Sequence, residues 1–139
     1  MVDVALDFTA AHVFVAGGTS GINLGIAEGF ASAGARVWVM SRSLEKVEAA
    51  VGRLRSLGTE AGGSAADVRD PDATAAALQE AHTAFGEIDV LVSGAAGNFP
   101  ASALAMSPNA FRSVLDIDLL GTYQVLRDAH PLLRKPGRW

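Results

Sequence analysis

Three stretches of this sequence have residue types and spacings suited to chemistry. The first is Ala16-Gly-Gly-Thr-Ser-Gly-Ile-Asn23. Glycines in such a turn allow positive φ and let phosphate oxygens come close to backbone amides. A helix opening at the turn adds free N–H groups and the positive end of its dipole, so the chemistry would be pyrophosphate binding. The same glycines also suit tight packing. Gly17, Gly21 and Gly25 have small-xxx-small spacing, but polar Thr19, Ser20, Asn23 and Glu28 exclude a membrane helix. The second stretch is Ser41-Arg42-Ser43, a planar guanidinium fork between two hydroxyls, suited to a phosphate. Its bland alternative is a solvated arginine ahead of a helix. The third is the small-residue loop Gly94–Asn109 with its one aromatic, Phe99. His12, His82 and His130 are scattered without ligand spacing and there is no cysteine, so neither a metal site nor a thiol nucleophile is expected.

The elements that must position these stretches follow from periodicity. Residues 12–16 are a β-branched and aromatic run, a buried strand entering the Gly17-Gly18 turn. A helix from Gly21, with Ile22, Ile26, Ala27, Phe30 and Ala31 on one face, ends at Gly34. Residues 36–40 form a second strand. Ser43 caps a helix with Leu44, Val47, Val51 and Leu54 on one face, stopped by Gly58. Residues 61–66 form a third strand, due in the alternation. Asp70-Pro71 opens a helix to Phe85, closed by Gly86. Residues 89–93 form a fourth strand. Ser107-Pro108 opens a last helix that continues or restarts through Leu119 to Leu133. The alternation predicts right-handed crossovers and a parallel sheet covered on both faces, in the order 3-2-1-4: a doubly wound, Rossmann-type α/β fold. Gly94–Asn109 then lies past the carboxyl end of the fourth strand beside the first, at the topological switch point where such sheets bind ligands.

The chain has 139 residues, 50% hydrophobic and 19% charged, with a net charge of -4, which fits one folded domain and excludes disorder as the main state. The acidic balance argues against nucleic acid as a partner. No apolar run approaches a membrane span, and MVDVALDFTA does not read as a signal peptide, so the expected location is cytoplasmic.

At these motifs the sequence resembles the short-chain dehydrogenase/reductase family. Gly17 and Gly21 hold the first two glycine positions of that family's Thr-Gly-x-x-x-Gly-x-Gly turn, and Asn23 stands at the last. Asp67-Val68 matches the acidic residue after the third strand that contacts adenine. Ser93-Gly-Ala-Ala-Gly97 sits at the family's Asn-Asn-Ala-Gly, and Asp116-Ile-Asp118-Leu-Leu-Gly-Thr at its Asp-x-Asn-x-x-Gly-Thr. Ser41-Arg-Ser-Leu44, Ala95-Ala-Gly-Asn-Phe99 and Asp116-Ile-Asp118 together look like the peroxisomal-type 2,4-dienoyl-CoA reductases.

The resemblance implies a dinucleotide site at Gly17, Gly18, Thr19, Ser20, Gly21, Ile22, Ser41, Arg42, Ser43, Asp67, Val68 and Ala95. An NAD site wants a carboxylate after the second strand, and no acid lies there before Glu45, so Arg42 points to NADP(H). Acyl-CoA contacts are implied for Arg42, Arg69, Phe99, Ser107, Pro108 and Asn109. Asp118 is the candidate catalytic residue, with a helix-start acid near Gly121 as its plain alternative. The family's catalytic Ser and Tyr-x-x-x-Lys follow the fourth strand and its helix. Tyr123 has Arg127, not lysine, four residues on. Residues 1–139 thus read as the N-terminal dinucleotide-binding part of a single Rossmann-type domain, truncated after the helix that follows the fourth strand, with the catalytic part absent. The expected activity is an NADPH-dependent reductase of an unsaturated acyl-CoA; the alternatives are a ketone or alcohol oxidoreductase, or a non-catalytic nucleotide-binding fragment. By itself the chain is expected to bind NADPH weakly, to self-associate as a homo-oligomer through exposed leucines, and not to turn over.

Overall fold

The computed structural model describes residues 5–135, and the first four residues of the MVDVALDFTA stretch lie outside them. Four parallel strands, β1 (His12–Ala16), β2 (Arg36–Ser41), β3 (Ala61–Ala65) and β4 (Val90–Ser93), lie in the order β3-β2-β1-β4. Between them run α1 (Gly21–Ser32), α2 (Leu44–Arg55) and α3 (Pro71–Phe85). Beyond β4 come α4 (Pro108–Leu115) and α5 (Gly121–Ala129).

Side chains alternate across the sheet with period two and divide the core. Val13, Val15, Val37 and Val39 pack against Ala27 and Ala31 of α1 and Val47 and Leu54 of α2. Phe14, Ala16 and Met40 pack on the other face, against Leu78 and Ala81 of α3 and Val125 and Ala129 of α5. The predicted caps form. Ser43, Asp70 and Ser107 each accept a bond from the amide three residues on, and proline occupies the first position of α3 and of α4. Gly34, Gly58 and Gly86 follow their helices with positive φ, where a Cβ is penalised.

Several boundaries and one helix face differ from expectation; β2 runs one residue longer, to Ser41, and β3 ends one residue earlier, at Ala65. β4 begins at Val90 because the Asp89 carboxylate is taken by the His12 amide and by Arg134. Ile22 does not join the core face of α1; it is 83% exposed at the start of the helix, beside the glycine turn. The last helix is continuous but contains a wide π turn at Asp116–Leu120. It closes at Ala129, four residues early, in a short 3-10 turn at His130–Leu132 containing Pro131, which has no N–H to continue an α-helix. Leu133 then pairs in parallel with Ile88 on the outer side of β4.

His12 is fully buried at the amino end of β1, with Nδ1 2.9 Å from the Gly86 carbonyl and Phe85 edge-on to its ring. Nε2 has no partner. Burial holds its pKa below the usual histidine value, helped by nearby Arg36 and opposed by the Gly86 carbonyl bond. The folded protein therefore keeps His12 neutral where the unfolded chain takes up a proton. Stability is unaffected above about pH 6.5 and falls as pH drops from there towards the lowered folded value, by at most about 1.4 kcal/mol per pH unit for one such group. The urea midpoint is expected to fall between pH 7.5 and pH 5, and to fall less in His12→Gln. Equal declines in the two proteins would remove His12 as the cause.

Candidate functional site

The carboxyl ends of β1, β2 and β4 open into a cleft of about 340 Å³. β1 stops at Ala16, and the chain turns through Gly17 at φ +76°, its amide donating to the Met40 carbonyl at 2.8 Å. A Cβ on Gly17 would lie 2.8 Å from the Ala95 backbone, so the turn and the segment after β4 touch through the missing side chain. Gly18 serves differently. A Cβ there would press on Val15 and Val39 at 2.9 Å, so this glycine lets β1, β2 and the turn close up and does not line the cleft. Gly21 starts α1 at φ +56°, with open space around it.

Ser20 precedes α1 in an extended conformation and makes no side-chain cap bond, and the first turn has no acidic residue. The start of α1 thus has no side-chain cap and lies beside the cleft that Thr19 and Ser20 line. This arrangement fits an anion.

On the β2 side the cleft is lined by Ser41, Arg42 and Lys46. Arg42 and Lys46 are exposed, and among the described residues neither forms an ion pair. Lys46 was not identified from sequence. It sits in the first turn of α2, where a cation opposes the helix dipole. That local conflict was the available signal. Ser43 is spent on capping α2 and does not line the cleft.

Asp67 and Val68 line the cleft beyond β3. Arg69 grips the Asp67 carboxylate from its side chain at 2.6–3.1 Å and its own amide at 2.9 Å. These bonds, the guanidinium bonds first, hold Asp67 below the usual carboxylate range against the effect of burial, and Arg42 adds to the shift. Arg69 itself lines a neighbouring cleft of about 410 Å³ with Asp116, Leu120, Tyr123 and Gln124.

On the β4 side, Gly94, Ala95 and Ala96 line the cleft together with Asn23 and Ile117. Asp118 is not a helix-start acid. It lies in the π turn, and its Oδ1 accepts the Gly97 amide at 2.7 Å, tying the loop after β4 to the last helix. Of the residues assigned to acyl-CoA, Arg42 alone lines the main cleft. Phe99 is 45% exposed on the loop, and Ser107, Pro108 and Asn109 form the exposed start of α4. Ile22 and Gly21 lie outside the lining too, at the exposed start of α1.

The arrangement is a trough crossing β2, β1 and β4. It has two cations at one end, the uncapped start of α1 beside its middle and a loop of small residues at the other. A glycine cradle, an uncapped helix start and two cations that form no ion pair among the described residues suit a ligand that carries phosphates. No helix among the described residues is long and apolar enough to cross a membrane.

Comparison with known proteins agrees with this geometry. The model of the short chain dehydrogenase family matches residues 11–138. The peroxisomal 2,4-dienoyl-CoA reductase of Arabidopsis thaliana is 42% identical over 126 residues, covering 89% of this chain and 42% of that protein. A 3-dehydrosphinganine reductase of Arabidopsis thaliana is 36% identical over 133 residues, covering 94% of this chain and 39% of its own length. Among solved structures, the F189W actinorhodin polyketide ketoreductase with NADPH superimposes with a TM-score of 0.82 at 29% identity, over 86% of this chain and 46% of the other. The chain thus spans about two-fifths of the curated relatives it matches.

Proposed function

Since the chain belongs to the short chain dehydrogenase family, we propose that it is the dinucleotide-binding half of an NADPH-dependent oxidoreductase that reduces an unsaturated acyl-CoA. The observation that carries the cofactor reading is that Arg42 and Lys46, two cations with no ion pair among the described residues, line the cleft just past β2 where an NAD site would have a carboxylate. The substrate reading rests on the similarity to 2,4-dienoyl-CoA reductase.

When bound, the nicotinamide supplies a hydride, which adds to the far end of the conjugated system; a proton completes the reduction. The residues of this chain bind and orient. The Gly17–Gly21 turn and the start of α1 hold the pyrophosphate. Arg42 holds the 2′-phosphate, and Asp67 and Val68 border the adenine. Asp118 holds Gly97 in place and is the chain's candidate for the catalytic carboxylate. The family's Ser and Tyr-x-x-x-Lys have no counterpart in these 139 residues: the one tyrosine, Tyr123, is exposed on α5 with Arg127 four residues on. Phe99, Ser107, Pro108, Asn109 and Arg69 remain the proposed acyl-CoA contacts.

Fluorescence titration of the chain is expected to show NADPH binding at least about tenfold tighter than NADH, the value of one modest charge-assisted bond. Equal affinities would remove the NADP(H) assignment. The same protein is expected not to oxidise NADPH with a dienoyl-CoA or a ketone. Without the ribose-holding lysine the nicotinamide is poorly positioned, and positioning is worth about 7–11 kcal/mol of a barrier. Turnover in the ordinary range of ~1–1000 s⁻¹ would overturn the half-site reading. The ketone alternative has support in the 3-dehydrosphinganine reductase similarity, and a longer chain carrying the family's remaining motifs would decide it by substrate panel.

Phe111, Leu115, Leu119 and Tyr123 repeat every four residues along α4, the π turn and α5, all exposed. This stripe is the proposed basis for homo-oligomers, read by sedimentation. A cytoplasmic location is proposed from composition alone. The relatives named as peroxisomal make a peroxisomal one its alternative, which cell fractionation separates.

A further inference from the structure

We propose that Asn23 is a positioning residue for the dinucleotide, acting as a clasp between the phosphate turn and the segment that follows β4. This rests on the dinucleotide reading above. Asn23 is the third residue of α1, and its Nδ2 donates to the Gly94 carbonyl at 2.6 Å, across 71 positions of sequence. The Gly94 amide donates to Ala16 at 3.0 Å, so Gly94 is held from both sides, by the end of β1 and by the start of α1.

The glycine at 94 leaves the room that this side chain fills. Its φ is not in the left-handed region, so its backbone suits any residue. A Cβ at Gly94 would overlap the Asn23 side-chain amide and meets nothing else closer. Asn23 and Gly94 are thus a matched pair, large on the helix and absent on the loop. Beside them, Gly17 abuts the Ala95 backbone. These two contacts fix the separation between the phosphate-holding turn and the loop of small residues, and both Asn23 and Gly94 line the cleft.

The sheet order says which ligands must feel this. Arg42 and Lys46 lie on the β2 side and the clasp on the β4 side, with β1 between. A ligand that ends at the adenosine 5′-phosphate meets the cations, Asp67, Val68 and the near side of the turn, and does not span to the β4 side. A dinucleotide must cross β1 and occupy the gap that the clasp sets. Loss of the clasp therefore weakens NADPH and NADH together and spares adenosine 2′,5′-bisphosphate.

The test titrates the whole chain and its variants with NADPH, NADH and adenosine 2′,5′-bisphosphate. In Asn23→Ala both dinucleotides are expected to weaken by about tenfold, the scale of one lost buried bond, with the bisphosphate within twofold of wild type. Asn23→Leu, of similar size but without the donor and without charge, gives the same pattern and serves if Asn23→Ala fails to fold. A second readout needs no ligand. Gly94→Ala lowers the urea midpoint, and Asn23→Gly in the same chain restores most of that loss. Unchanged dinucleotide affinity in both Asn23 variants overturns the role while leaving the dinucleotide site intact, and so does equal weakening of all three ligands. If wild type binds none of the three, the dinucleotide reading fails and the role with it.

Discussion

Arg42→Asp is expected to lower NADPH affinity by about two orders of magnitude and to make NADH the preferred ligand. A bond to a charged group is worth about 1.5–3 kcal/mol, and a guanidinium offers two in one plane to a phosphate. Arg42 stands at the cleft with no competing ion pair among the described residues, so nothing in the fold has to be broken before it binds. The substitution removes these bonds and places a carboxylate against the 2′-phosphate. Towards NADH the same carboxylate is an acceptor for ribose hydroxyls, the arrangement that NAD sites use. Lys46 remains nearby, so some attraction for the phosphate survives and the loss stays finite. Fluorescence titration at fixed ionic strength reads both affinities. NADPH binding unchanged in the variant would show that the 2′-phosphate is held elsewhere.

Gly17→Ala has the second large effect, on fold and ligand at once. Alanine at φ +76° costs about 1–2 kcal/mol in left-handed strain alone. Its Cβ would also sit 2.8 Å from the Ala95 backbone, which cannot rotate away as a side chain can. Retreat of the turn would break the Gly17 amide bond to Met40. A destabilisation of about 2–4 kcal/mol is expected, in line with overpacking added to strain, together with loss of measurable NADPH binding. Gly21→Ala is the control. It too has positive φ but meets open space, so it is expected to lose only about 1–2 kcal/mol. Urea unfolding and NADPH titration of both variants check this. Wild-type affinity in a folded Gly17→Ala protein would separate the turn from the ligand.

Most of the frame was legible because it is written locally. Ser43, Asp70 and Ser107 are caps by residue type, and Gly34, Gly58 and Gly86 are stops for the same reason. Alternation then fixes which face each strand residue meets, and the crossovers leave one strand order. What was not legible depends on pairs distant in sequence. Asn23 and Gly94 each look like a departure from the family pattern, and only their contact makes sense of both. Gly18 looks like a phosphate glycine until Val39 is seen beside it. Asp67 looks free for a ligand, but Arg69, two residues on, curls back to hold it. Asp118 carried a catalytic expectation from its position in a motif; its bond to Gly97 depends on where the loop after β4 falls.

The π turn at Asp116–Leu120 has a consequence in the language of insertions and deletions. A wide turn is one extra residue accommodated inside a helix, and each residue of a helix accounts for about 100° of rotation. Gly121, the first residue after the turn, and Val68 are packed so closely that a Cβ would lie 2.7 Å from a Val68 methyl, which anchors the start of α5. Downstream, Val125 and Ala129 are fully buried against the sheet. A one-codon deletion within the segment has two outcomes. Either α4, which has no buried residue, turns by about 100° against the anchored α5, or the turn tightens to regular α-helix and absorbs the change. The second route makes these five positions the one stretch of the last helix where a lost codon leaves the inward face in phase.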